Sequence, residues 1–206
     1  AVMFNKLPVK GKKVVCVVSG GNIDVTILSR VINRALIKEG RIVFDPYKDG
    51  SIPGLKPLDI SADVILCSHE HFDHNARDIV KHTRKLTRFD IKTIDSYHDD
   101  KHGILRGNNI IHSINVENMK IVHLGDLGHE LDDYSQIQNC DVLMIPVGGH
   151  YTIDAKTAKN IVDATVELPE NWDTDYVNVV LWDESTCSQD GCRFTIEDCG
   201  ELLLKA

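Results

Sequence analysis

The stretch Ser68-His69-Glu70-His71-Phe72-Asp73-His74 constrains this chain more than any other part of it. It packs three histidines and two carboxylates into one turn, directly behind the apolar run Asp63-Val64-Ile65-Leu66-Cys67. That run predicts a buried strand of a parallel or mixed sheet. The loop leaving such a strand is where open α/β sheets carry their chemistry. Imidazole nitrogen and carboxylate oxygen are the usual ligands of zinc and similar metals, and a catalytic site keeps room for water. The plain alternative is a polar surface loop, which seldom concentrates so many metal-competent side chains.

The His-x-His-x-Asp-His spacing of this stretch resembles the signature of the metallo-β-lactamase-fold hydrolases. Three more segments share the likeness. Arg41-Ile42-Val43-Phe44-Asp45-Pro46-Tyr47 is similar to that family's strand ending in Asp-Pro, and His123-Leu124-Gly125-Asp126 to its Gly-Asp motif. Met144-Ile145-Pro146-Val147-Gly148-Gly149-His150-Tyr151-Thr152 resembles a segment of the branch related to L-ascorbate-6-phosphate lactonase. Together they cover about residues 41–166. The resemblance implies an α/β fold, a metallo-β-lactamase-like αββα sandwich, and a metal-activated water as reagent.

A chain of 206 residues suffices for one sizeable core, so one domain over 1–206 is expected. No apolar run approaches the ~20 residues that span a bilayer. The start, Ala1-Val2-Met3-Phe4-Asn5-Lys6, has too short an apolar core for a secretory signal, which makes the cytoplasm the expected address. A formal net charge of −8 argues against a general nucleic-acid partner and leaves a small-molecule substrate. Homo-oligomerisation stays open. Cys16, Cys67 and Cys140 sit in or beside apolar runs and read as small core residues. Cys187, Cys192 and Cys199 lack a Cys-x-x-Cys pair, so a disulfide or small metal knot is the lesser reading there.

Taken in order, Val14-Val15-Cys16-Val17-Val18 predicts a strand and Ser19-Gly20-Gly21-Asn22 a turn. Apolar positions Val25, Leu28, Ile32, Leu36 and Ile37 predict a helix closing at Gly40. This β-α piece, residues 6–41, resembles the end of the catalytic domain of threonine dehydratase, a pyridoxal-phosphate enzyme. In that family the Ser-Gly-Gly-Asn turn lies by the cofactor ring, which points to Ser19. No cofactor lysine or glycine-rich phosphate loop accompanies it, so a structural unit is expected. Metallo-β-lactamase-fold chains usually begin with antiparallel strands, so this unit is atypical and reads as a junction of two families near Gly40-Arg41.

Residues 46–59 are rich in Pro and Gly and predict a loop edging the site. A helix is expected from Asn75 as N-cap past Val80, with the basic run 81–88 as its solvated end or, less plainly, a surface for anionic substrate. Further strands are expected over 91–94, 109–116, 119–124, 141–147 and 176–182, the second and third as a hairpin around Glu117-Asn118. Helices are expected over 154–168 and 196–205.

Each candidate ligand follows a predicted strand, so distant residues can converge on one sheet edge. By the resemblance, His69, His71 and His98 form a three-histidine set, Asp73 and His74 serve a second metal, and Asp126 bridges the two. Zinc is the expected ion, one or two per chain, with manganese or iron as alternatives. Asp73 is also a candidate for orienting the nucleophile, and His129 and His150 for proton delivery or substrate contact; capping or surface roles are their plain alternative. The family generally supplies a last histidine near the C-terminus. The corresponding stretch here, Val177 to Glu184, has none, and Asp183 is the candidate substitute. A metal-dependent hydrolase of an ester, lactone or phosphodiester is therefore the first expectation, and a metal-binding but catalytically silent chimera the second.

Overall fold

Period-two alternation of apolar residues from 108 to 123 builds the frame of the molecule. In the computed structural model, which describes residues 14–17, 40–51, 57–83, 89–116 and 118–165, these residues form two antiparallel strands. Strands β1 (Val14–Val17), β2 (Ile42–Phe44), β3 (Ser61–Ala62), β4 (Val64–Leu66) and β5 (Lys81–His82) precede them, as does β6 (Asp90–Tyr97). The hairpin itself is β7 (Asn108–Val116) and β8 (Met119–His123), then come β9 (Val142–Ile145) and the helix α1 (Ala155–Thr165). The hairpin turn is tight because Asn118 takes φ 63°, a conformation asparagine tolerates better than most residues.

The main sheet runs β1-β9-β8-β7-β6. Its β6-β7-β8 half is antiparallel, whereas β8, β9 and β1 are parallel. Side chains alternate cleanly across it. Ile111, Val122, Leu124, Leu143 and Ile145 face α1, meeting Ala158 and Ile161. Ile114, Val116, Ile121 and Met144 face the other way, onto Ile42 and Phe44 of β2. Removing side chains of this size from water contributes roughly 1.5–3 kcal/mol each, which binds the layers together. The small sheet pairs β2 with β4 in parallel, and β3 pairs with β5 beside it. Two β layers and one helical layer are thus in place, the metallo-β-lactamase sandwich, with β4 a half-buried rather than a fully buried strand.

Helix α1 starts where its sequence provides a cap: the Thr157 N–H donates to Asp154 Oδ1 at 2.8 Å. Val162 packs partly buried beside Ile161, as the spacing predicts. The helix expected from Asn75 is not there. Arg77–Ile79 is a single 3-10 turn, and the chain then extends into β5, so Lys81 and His82 are strand residues and not a helix end. Asn75 does not cap it, because its side chain is engaged with Glu70 and with Arg77 Nε instead. Strand β6 runs on to Tyr97, further than its apolar core of 91–94 suggests, carried by pairing with β7 over eight residues.

Cys67 and Cys140 are buried, as expected. The Ser19 turn, the helix before Gly40, the strand at 176–182, the terminal helix, Asp183, Cys187, Cys192 and Cys199 lie outside the described residues, as do residues 84–88 of the basic run. Among the described residues no helix is long and apolar enough to cross a membrane.

Candidate metal centre

Strands β6 and β8 are both antiparallel to β7, so their C-terminal ends and the start of β7 share one edge of the main sheet. The loop after β4 is fastened to the same edge by the Ile110 N–H, which donates to the Ser68 carbonyl at 2.7 Å. Four chain segments therefore deliver side chains to one place. His98 Nε2 lies 3.0 Å from Asp126 Oδ2, His74 Nε2 3.6 Å from it, and His69 Nε2 4.0 Å. The His69 and His98 rings are stacked with centroids 4.8 Å apart, and His71 meets both edge-on at 4.6 and 5.2 Å. Two donor sets, His69-His71-His98 and His69-His74-Asp126, each hold their atoms within 4.8 Å of one another. His71 is exposed while His69, His74 and His98 are buried, so the ring opens to solvent on the His71 side.

Behind the ring stands a layer of polar residues that fixes it. Asp45, at the end of β2, accepts from the Ser68 backbone N–H at 2.6 Å and from Ser68 Oγ at 2.8 Å. Ser68 Oγ is also 2.9 Å from His69 Nδ1, and Asp45 Oδ2 is 3.5 Å from His74 Nδ1 and 3.7 Å from His123 Nε2. Asn109 is fully buried; its amide donates to Ser96 Oγ and the Leu124 carbonyl, and its oxygen accepts the Asp126 N–H at 3.0 Å. Gly125 sits at φ +59°, where a Cβ would collide with the Ser68 and Asn109 side chains. Only glycine lets Asp126 approach so closely. Gly128 is equally confined, since a Cβ there would strike the backbone of His98 and Asp99. Such outer partners orient ligands and set their basicity.

Charge in the centre is unbalanced towards acid. Burial disfavours the His74 cation, yet Asp45, Asp126 and Asp73 around it push its pKa up to about 9. His69 goes the other way, down to about 3, through burial and then the nearby His74 charge. Burial also opposes the Asp126 carboxylate, but the His98 hydrogen bond and the His74 and His69 charges hold it below the ordinary range. His69 Nε2 and both nitrogens of His74 are buried with no hydrogen-bond partner among the described residues. Bare buried polar atoms of this kind cost roughly 1–3 kcal/mol each. An excess of carboxylate and uncapped imidazole nitrogens is the environment a divalent cation satisfies, so the donor set fits a metal of the zinc type.

The expected residues His69, His71, His74, His98 and Asp126 are brought together. Asp73 stands at the margin, its Oδ2 3.7 Å from His74 Nε2. His150 is exposed, with its ring edge-on to Tyr151 at 4.5 Å, and His129 accepts at Nε2 from the Tyr97 N–H while its Nδ1 lies 2.7 Å from the Glu130 carbonyl. The first residues of the 46–59 loop edge the site, through Lys48 N–H to the Phe72 carbonyl and Ala76 N–H to the Pro46 carbonyl, while residues 52–56 lie outside the described ones. Sequence reading missed Asn109, Ser68, Gly128 and the structural part played by Asp45 and His123. A polar residue at the first position of an apolar strand was the one available signal for Asn109.

This fold, with a histidine–aspartate ring at its strand ends, defines the metallo-β-lactamase class of metal-dependent hydrolases. Residues 35–165 match the beta-lactamase superfamily domain, and the chain belongs to that family. A protein of Thermoplasma acidophilum named a metal-dependent hydrolase is 25% identical over 178 residues, 68% of this chain and 79% of that one. A solved structure of a metallo-beta-lactamase superfamily protein from Thermotoga maritima is 28% identical and covers 68% of this chain and 74% of that one, with a TM-score of 0.47. An L-threonine ammonia-lyase of Thermotoga maritima is 38% identical over 104 residues, 48% of this chain but only 25% of that enzyme.

Proposed function

We propose that this chain hydrolyses an ester, lactone or phosphodiester with a bound metal, zinc by preference and manganese or iron as alternatives. The observation that carries the reading is the convergence of the His98, His74 and His69 imidazoles on Asp126 Oδ2, at 3.0, 3.6 and 4.0 Å. His69, His71 and His98 would hold one ion, and Asp73, His74 and Asp126 a second, with Asp126 shared. When bound, such ions lower the pKa of water towards neutrality and polarise the bond under attack. The chain's own residues do the rest. Asp126 keeps His98 oriented through its hydrogen bond, while the Asn109 amide holds Asp126 in turn. Asp73, with 34% of its side chain exposed, is the most open carboxylate of the centre and takes the proton of the attacking water at Oδ2. His150, exposed midway along the loop after β9, hands a proton to the leaving group.

The 144–152 segment favours a lactone first, as in the branch related to L-ascorbate-6-phosphate lactonase. One domain over 1–206, a small-molecule substrate and a cytoplasmic setting accompany this reading. Asp183 stands in for the last histidine in this reading; the partial match to L-threonine ammonia-lyase supports the joining of two families in a second one, a chimera that holds metal without turnover. Metal analysis by mass spectrometry on protein purified without chelator, together with a panel of chromogenic esters, lactones and phosphodiesters, separates the two. Turnover that chelation abolishes and zinc restores is the expected result. Bound metal with no turnover selects the silent scaffold, and failure to take up metal ends the reading of the centre.

A further inference from the structure

Three loops rim the ring, and each carries an exposed apolar side chain. Phe72, 66% exposed, lies between His71 and Asp73; Ile104 and Leu105, 82% and 63% exposed, lie in the turn that follows His98. Tyr151, 54% exposed, belongs to the segment that returns to the site where the Ile153 N–H donates to the carbonyl of Leu127, the neighbour of Asp126. Apolar lining with a few placed polar groups is the usual composition of a small-molecule site.

Arg106 is the polar group among them. Its N–H donates to Asp99 Oδ2 at 2.7 Å, and the next carbonyl, of Gly107, accepts the His98 N–H at 3.0 Å. Its main chain is therefore pinned beside a ring histidine. The guanidinium lies over the Tyr151 ring, 5.2 Å from the centroid. Among the described residues no carboxylate pairs with it, although Lys81, Lys101 and Lys159 all find acids in this net-acidic chain. Asp99, which the Arg106 backbone N–H reaches, is already engaged: its two oxygens accept the N–H groups of Lys101, Gly103, Leu105 and Arg106. Stacking on an aromatic face fixes a guanidinium while leaving its N–H edge free, and that edge matches carboxylate or phosphate oxygens two at a time.

We propose that Arg106, held by Tyr151, binds an anionic oxygen group of the substrate, a carboxylate or a phosphate, while the apolar body of that substrate rests on Ile104, Leu105 and Phe72. The inference rests on the hydrolase reading above and narrows it from esters and lactones in general to anionic amphiphilic ones.

Two measurements on the zinc-loaded full chain test it. In the first, phenylacetate, phenylphosphonate and the neutral phenylacetamide are titrated calorimetrically into the parent protein and into Arg106→Gln and Tyr151→Ala. The parent should prefer the anions, and Arg106→Gln should weaken the better anion by about tenfold to a hundredfold. Which of the two loses more identifies the carboxylate or the phosphate as the group recognised. Equal affinity of parent and Arg106→Gln for both anions overturns the proposal. In the second, the ratio of kcat/KM for a succinate mono-p-nitrophenyl ester over p-nitrophenyl butyrate should fall at least tenfold in Arg106→Gln; an unchanged ratio also overturns it. Absence of turnover on every ester would sink the hydrolase reading alone, since the calorimetry still decides the clasp.

Discussion

At the scale of single residues, the centre depends on side chains that never touch a substrate. Gly125 combines a left-handed φ with contact against Ser68 and Asn109, so Gly125→Ala is strained in both backbone and packing. We expect it to cost about 2–4 kcal/mol in urea denaturation. Asn109→Ala removes three buried hydrogen bonds at once and frees the Asp126 backbone. It should lower metal affinity by about tenfold to a hundredfold in a chelator competition, with a smaller stability loss than Gly125→Ala. Asp126→Ala should abolish uptake at the shared position altogether, read as metal per chain by mass spectrometry. The candidate ligands stood out in the sequence because metal chemistry confines such residues to few types at short spacing. Asn109, Ser68 and Gly128 were not, because what makes each of them matter is a partner brought from a remote strand.

At the scale of elements, local signals worked where they acted alone. Asp154 offered a cap, the following residues offered an apolar stripe, and α1 forms there. Its carboxyl lies below the usual range because the Thr157 N–H donates to it. A carboxyl depressed by folding stabilises the native state above the unfolded value of about 4, and that contribution is lost as pH falls through the folded one. Asp154→Ala should therefore cost about 1 kcal/mol near neutral pH and progressively less as pH falls below the ordinary carboxyl range, measured by denaturant titration across that span. Around Asn75 the same kind of signal failed. Lys81 there donates its N–H to the Ile60 carbonyl, and pairing with β3 extends the chain that local propensity would have coiled. The hairpin of β7 and β8 was readable from alternation alone, whereas the parallel pairing of β9 with β1 joins segments far apart and leaves no local trace.

For the whole molecule, the centre lies where the two sheets meet. Its candidate ligands come from the loop of the small sheet and from two strand ends of the large one, so an ion held there would cross-link both layers. Binding to the native state alone adds about 4 kcal/mol when free metal stands at about a thousand times its dissociation constant. Chelation should accordingly lower the unfolding midpoint of the parent chain and lower that of Asp126→Ala by less, which differential scanning calorimetry would read.

Among the described residues strand β1 is an outer rail of the large sheet and pairs with β9 alone, while every candidate ligand rises from the end of β4, β6 or β8. The chemistry is thereby insulated from whatever sequence lies along that rail. A lineage could exchange that strand for another short run of β-branched residues without moving a single donor atom, so that ancestry along the rail and catalytic inheritance at the centre can have separate histories.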